Sequence, residues 1–467
     1  MATPTTTAAD ALGGLIATDL ADPRVRWRPS PGGMAGRFGA FAGIAFLALW
    51  LPHWMTGASP GGSLVFEFAR AIVFAMVALS LNILMGYAGQ ASLGHAAFVG
   101  AGAFAGGYFS VDLGLGFGAA IFGSILIGAV LALALGTIAL RVRGLLLAIV
   151  TIAYQLLAEE TLFKVRALTG GGAGKEVPRP EFLTTGSETF GWEFSADEKY
   201  VYFLILMLLL TWLFDWRLTS SKAGRAIQAL RDDERVAASW GINVRGYKLL
   251  AFVLSGGIAG FAGLLYAARD GVAAPPSFTF TVALTFLLMT VVGGLGSRPG
   301  VVVGGMFIAF LPVFLEKAHE AWGVPHTDDG GTCTSLPPKA LQFLIGLVFL
   351  AAAAEMIRHA VKRFRGGESD GARLAGSAVL GLVLVAVGGT ALAGSITGNS
   401  CMWALLKSNW ETFIGAVLLL VTLIQYPGGI AEQFGPVFRW LSFKPLKSAD
   451  AVTVGGGTAG GGMGARP

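Results

Sequence analysis

Long apolar runs separated by short charged turns dominate this sequence, and they leave few folds open to it. Runs of roughly 17 to 25 residues, enough as helix to cross ~30 Å of hydrocarbon, lie near 38–56, 64–85, 91–109, 117–140, 144–163 and 200–216. Six more lie near 248–272, 281–296, 300–318, 340–357, 374–395 and 409–427. Backbone in lipid must satisfy its own N–H and C=O groups, so such runs predict an all-α polytopic membrane protein of about 12 transmembrane helices. Hydrophobic residues make up 54% of the 467 and charged residues only 13%, more apolar than the core of a soluble protein needs.

The net charge of +5 raises the question of nucleic acid, and the placement of the basic residues answers it. Most of the Lys and Arg fall between apolar runs, on the side that an alternating topology makes cytoplasmic, as the positive-inside bias requires. Among them are Arg141, Arg143, Arg298 and the cluster from Arg358 to Arg373. Both termini are then cytoplasmic, and the lipid bilayer, not nucleic acid, is the first partner. Residues 1–37 read as a cytoplasmic tail and not as a cleaved signal, which would bring its apolar core sooner. From about 448 the Gly-rich tail has too little apolar surface to offset its ordering entropy.

One hydrophilic stretch, 217–248, stands out between the runs. Ile227 and Leu230 lie one helical turn apart, as do Val236 and Trp240, with Arg231, Asp232, Asp233, Glu234 and Arg235 between the pairs. Two short helices fit this pattern, with Asp232 or Asp233 capping the second and Gly241 suited to its exit. On periodicity alone the stretch could equally be a solvated loop between two spans.

The stretch GRAIQALRDDERVAASWGINV and the following KLLAFVLSGGIAGFAGLLYAARDGVAAPPSFTF resemble the coupling loop and next span of branched-chain amino-acid ABC importer permeases, the M-type subunit in particular. NILMGYAGQASLGHAAFVGAGAF and VVGGLGSRPGVVVGGMFIAFLPVFLE match as well, so the resemblance covers about 64–318 and resumes near 410, at FIGAVLLLVTLIQYPGGI. The resemblance implies a permease core over 38–318, a final helix at 409–430 and a cytoplasmic tail at 431–467. Residues 319–408 read as an insertion carrying an extra helical hairpin.

The resemblance also implies a subunit of the bacterial inner membrane that pairs with a second homologous permease, two cytoplasmic ABC ATPases and a periplasmic substrate-binding protein. ATP and magnesium would be held by the ATPases, and this chain would hold no cofactor and catalyse no reaction. Coupling to the motors would fall to Gly224, Arg225, Ala226, Ile227, Leu230, Arg231, Asp232, Asp233, Glu234, Gly241 and Asn243. Leucine, isoleucine and valine head the substrates, with urea or short-chain amides as the alternative. A channel or secondary transporter needing no motor is the rival from another class. It has no reason to keep a helical knob, and the inverted repeat common in secondary transporters is not evident here.

Polar groups inside apolar runs are costly and mark candidate pathways. Asn82, Gln90, Ser92 and His95 cluster around GYAGQASLGH, with Gln155 and Thr290 on other runs. Each could equally be a satisfied interhelical hydrogen bond. Glu159, near the outer end of its run, could meet a substrate ammonium group or serve as an interfacial carboxylate beside Glu160. Glu67 and Arg70 read as an intrahelical ion pair. The short segments 86–90 and 293–300 are either tight turns or breaks between half-helices, and broken backbone at membrane depth needs protein or a wet cavity around it.

Gly256, Gly260 and Gly263, and again Gly300 and Gly304, have the spacing that lets helices approach closely. Cys333 and Cys401 both fall outside and flank the extra hairpin. They could join in an oxidising periplasm or be two unrelated thiols. The run from Thr169 to Glu176 is a false phosphate loop, with Thr169 at the first Gly position and Glu176 where magnesium would need Ser or Thr. His53, His95, His319, His326 and His359 show no metal-ligand spacing.

Overall fold

The computed structural model describes residues 63–321, apart from 143, 185–186 and 190–191, together with residues 43 and 50–55. Cys333, Cys401, the inserted hairpin and the runs at 340–357, 374–395 and 409–427 lie outside the described residues.

The described chain is built from helices α1 (Ser63–Leu81), α2 (His95–Gly107), α3 (Gly116–Ala139), α4 (Leu145–Glu160) and α5 (Ala196–Ser220). Two short helices follow, α6 (Lys222–Asp232) and α7 (Glu234–Ser239), and then α8 (Val244–Asp270), α9 (Phe280–Gly293) and α10 (Arg298–Ala321). Five of the described helices are long and apolar enough to cross a membrane, and two further apolar helices are shorter. The apolar runs from 64 to 318 thus all fall on helices, but two are only partly helical. In the run 91–109, helix begins only at His95, and the 13 residues of α2 pass directly into a π-helical turn over Tyr108–Asp112. The run 281–296 holds a helix of 14 residues that ends at Gly293.

Helix α8 lies at the centre and packs on α3, α2 and α1. Its small-residue face explains why. A Cβ on Gly260 would stand 2.4 Å from the Ser124 carbonyl oxygen, and one on Gly263 only 1.9 Å from that of Val99. At Gly256 it would meet Ala132 Cβ at 2.2 Å. Backbones this close gain dispersion contacts that larger residues would forbid, which is the attraction available to helices in lipid. The same device joins α9 to α10: a Cβ on Gly304 would lie 2.5 Å from the Met289 carbonyl oxygen, and one on Gly293 would lie 2.6 Å from that of Gly300.

The connections gather at two ends. Segments 86–94 and 293–297 meet near α6 and α7. At the other end strand β1 (Lys175–Glu176) pairs antiparallel with β4 (Val272–Ala273), Lys175 facing Ala273. A second antiparallel pair, β2 (Ser187–Thr189) with β3 (Trp192–Phe194), lies in the same connection. Arg179 donates to the carbonyls of Ala268 (3.1 Å) and Arg269 (2.7 Å), so it satisfies oxygens that the end of α8 leaves without helical partners.

Candidate functional site

Residues 221–243 form a knob of two short helices in succession, one of the two arrangements the sequence left open, joined at Asp233 in an extended conformation. Ser221 caps α6 by accepting from the Gly224 N–H (3.1 Å). Asp233 breaks the chain and caps α7, its Oδ1 accepting from the N–H groups of Arg235 (2.7 Å) and Val236 (3.3 Å). Gly241 leaves α7 at φ 78°, where a side chain would be strained, and Asn243 opens α8 by accepting from the Gly246 N–H. Ile227 and Leu230 are buried, whereas Val236 and Trp240 face outward, Trp240 being 81% exposed.

Arg231, an exposed residue of this knob, reaches back to the bundle. Its Nη1 donates to the Gly86 carbonyl oxygen. The same nitrogen would be 3.1 Å from a Cβ on Gly296, and the Arg231 chain would be 3.2 Å from one on Gly89. Both Gly-rich breaks therefore lie under one guanidinium. Asn82 ties the breaks to each other, its Oδ1 accepting from the Gly296 N–H at 2.7 Å.

The first break is a deliberate irregularity. Helix α1 widens into a π-helical turn over Asn82–Tyr87 and then gives way to non-helical chain up to Gly94. Much of that chain is buried, and some of its polar groups are met by protein, while Asn82 Nδ2 and Ser92 Oγ are buried with no partner among the described residues. The Leu93 N–H donates to Thr151 Oγ1 (3.0 Å) and the Gln90 N–H to the Leu84 carbonyl (3.0 Å). Segment 86–90 thus carries the end of the π-helical turn and non-helical chain beyond it.

Beside the knob lies an ionic centre that sequence reasoning missed. Asp215 Oδ2 accepts from the Tyr87 hydroxyl (2.9 Å) and from Arg298 Nε, while Arg298 also donates to Thr219. Asp215 is fully buried and lies just before the end of an apolar run, where one carboxylate draws no notice. Its spacing from Arg298 in sequence gives no signal at all. Glu234 on α7 pairs with Lys248 on α8, a second bond from knob to central helix.

The candidate pathway residues fall into separate places. His95 Nε2 lies 2.9 Å from Ser80 Oγ and 3.3 Å from Ser255 Oγ, joining α2, α1 and α8. Ser92 is buried nearby, and Gln90 donates to the Ala88 carbonyl within the break. Gln155 forms a different group: Oε1 accepts from the Ala97 N–H (2.7 Å) and Nε2 donates to the Phe278 carbonyl (3.0 Å). Glu159 accepts from the Phe280 N–H (3.0 Å) at the start of α9. Thr290 bonds its own helix at the Phe286 carbonyl. His95, Gln155 and Glu159 thus bond between elements, Thr290 bonds within its own helix, and Ser92 Oγ is buried with no hydrogen-bond partner among the described residues.

Several long apolar helices, packed at backbone distance around a broken first helix, define a multi-pass membrane protein. The chain belongs to the family described as branched-chain amino acid transport system / permease component, whose match runs over residues 63–353. That match passes the point near 318 where the resemblance falters and reaches into the run at 340–357. Among curated relatives, the high-affinity branched-chain amino acid transport system permease protein LivM of Escherichia coli (strain K12) is 33% identical over 254 residues, 51% of this chain and 60% of the relative. The probable branched-chain amino acid transport permease protein LivM of Methanocaldococcus jannaschii is 26% identical over 283 residues, covering 52% of this chain and 79% of the relative. LivH of Escherichia coli (strain K12), also a permease protein of the high-affinity branched-chain system, is 27% identical over 145 residues, 30% of this chain and 46% of its own length. The chain thus spans about 60% of the length of the Escherichia coli LivM relative. No solved structure matches it.

Proposed function

We propose that this chain is a permease subunit of a bacterial inner-membrane ABC importer and forms part of the translocation pathway for leucine, isoleucine and valine. A second, LivH-like permease, two cytoplasmic ATPases and a periplasmic binding protein complete the assembly. Residues 221–243 receive the motors, and ATP and magnesium are bound by those motors.

The observation that carries this reading is the seat of Arg231. A knob with an outward apolar tip at Val236 and Trp240 is joined through one guanidinium to both helix breaks of the bundle. Displacement of the knob by a motor therefore acts on the two places where the bundle is least regular. Pairing of Glu234 with Lys248 carries the same displacement into α8. A channel that opens without a motor has no use for this linkage. Family membership supports the permease role, and the substrate names of the relatives support branched-chain amino acids.

The test is ATP-driven uptake. The complete complex, reconstituted in vesicles with ATP on the knob side and binding protein opposite, accumulates labelled leucine against a gradient. Accumulation of urea in place of leucine would move the substrate, and leucine flux indifferent to ATP would remove the importer.

A further inference from the structure

We infer that the end of the bundle opposite the knob holds a binding site for a zwitterionic amino acid with a branched aliphatic side chain. Arg269 is its carboxylate anchor, Glu67 its ammonium partner, and a valine-rich cavity takes the side chain. The inference rests on the importer reading above and gives that reading its substrate contacts.

The cavity, about 110 Å³, lies among α1, α2, α8 and α9, walled by Val73, Val77, Val99, Tyr266, Val282 and Phe286. An apolar cavity of about 150 Å³ takes up benzene, so this one suits a branched group of three or four carbons and not an indole. β-branched walls are stiff at χ1 and hold the shape of the cavity without a bound ligand.

Tyr266 connects the cavity to charge. The Arg269 guanidinium sits 5.0 Å from the Tyr266 ring centroid and 4.1 Å from that of Phe66. Arg269 is 6% exposed and spends Nε and Nη2 on Asp270, both at 2.7 Å. Its Nη1 is buried without a partner among the described residues. A desolvated guanidinium N–H left unpaired is costly, and the group that best relieves it is a carboxylate oxygen.

The acid is supplied from α1. Glu67, Arg70, Phe74 and Val77 follow one another at three- and four-residue steps, so one face of α1 leads from the charged end to the cavity wall. Glu67 Oε2 is buried and ion-paired with Arg70 Nη2 at 2.8 Å, while Arg70 Nη2 donates to the Ala309 carbonyl (3.0 Å), so this oxygen has a charged neighbour but no hydrogen bond among the described residues. An acceptor oxygen is thus held in place, and a substrate ammonium group would share it with Arg70. Cation, anion and apolar cavity together match the three parts of leucine, isoleucine or valine.

The experiment is equilibrium binding of labelled leucine to the complete transporter in nanodiscs, without ATP and without binding protein, with unlabelled amino acids as competitors. Wild type binds leucine and is competed by isoleucine and valine, while glycine and tryptophan compete poorly. Arg269→Gln weakens leucine binding at least about tenfold, the loss of one charge-assisted contact, and Arg269→Lys recovers part of it. Val77→Ala with Val282→Ala shifts preference toward phenylalanine, a gain that a misfolded protein cannot show. Variants with unchanged affinity and selectivity, in a complex that still accumulates leucine with ATP, would overturn this site and leave the importer standing. A wild-type complex that neither binds nor accumulates any branched-chain amino acid would overturn both.

Discussion

Arg231 of the knob donates to the carbonyl oxygen of Gly86, at the point where the first helix of the bundle has just widened into a π turn. A charged donor on a buried backbone acceptor is worth about 1.5–3 kcal/mol, enough to make knob and break move together. Arg231→Ala therefore leaves the protein folded and inserted but lowers ATP-driven leucine uptake by about tenfold or more, with ATPase activity no longer responding to loaded binding protein. Charge reversal at Arg231 and Asp233, or proline at Ala229, goes further in the same direction. Paired measurements of hydrolysis and uptake check this, and normal uptake would sink the linkage.

The buried pair of Asp215 and Arg298 sits beside that contact. Removing one partner of a buried pair costs about 3–5 kcal/mol, whereas replacing both with apolar groups of like volume is often neutral. Asp215→Ala should lower the unfolding midpoint in detergent markedly, and Asp215→Leu with Arg298→Met should recover part of the loss, the Tyr87 hydroxyl being left without its acceptor. A double variant no better than the single one would show that the pair is not the cause.

Gly263 offers a test of the packing. Its substitution by Ala puts a Cβ 1.9 Å from a backbone oxygen of α2 that cannot turn aside, whereas a Cβ on Gly118 meets nothing within 4 Å. Overpacking of this kind costs about 1–3 kcal/mol and sometimes more. Gly263→Ala is expected to cut the yield of folded protein in detergent, and Gly118→Ala is expected to match wild type. Equal elution profiles by size exclusion would contradict the close crossing.

Gln155 fixes the start of α2 to the turn before α9 with one donor and one acceptor. Gln155→Leu removes both bonds, leaving the Ala97 N–H only its longer contact to the Gly94 carbonyl (3.3 Å), at a cost of about 1–3 kcal/mol. Gln155→Glu keeps that acceptor and, in its protonated form, can still donate to Phe278, at the cost of losing its charge. Thermal midpoints should therefore fall in the order wild type, Glu, Leu, and a reversed order would mean that Gln155 does not bridge the two segments.

Much of this arrangement was legible in the chain. Apolar length located every long helix between 64 and 318, because lipid leaves the backbone no other choice. Capping chemistry gave the two knob helices, with Asp233 and Gly241 at the positions the local rules favour. The glycine spacing on α8 falls where backbones touch. What stayed hidden depends on contacts far apart in sequence. Nothing in the periodicity of 217–248 says that Arg231 reaches back to the bundle while Trp240 turns out, and nothing near Asp215 points to Arg298. The late start of α2 at His95 was hidden as well, since it goes with the Leu93 N–H donating to Thr151 Oγ1, a partner far away in sequence.

The most direct measurement of the central claim is co-purification. The tagged chain, extracted in mild detergent, should carry with it two ABC-type ATPases and a second permease, identified by mass spectrometry, and Trp240→Ala should loosen the ATPases while the second permease stays bound. A chain that purifies alone and moves leucine across vesicles without ATP would contradict the account.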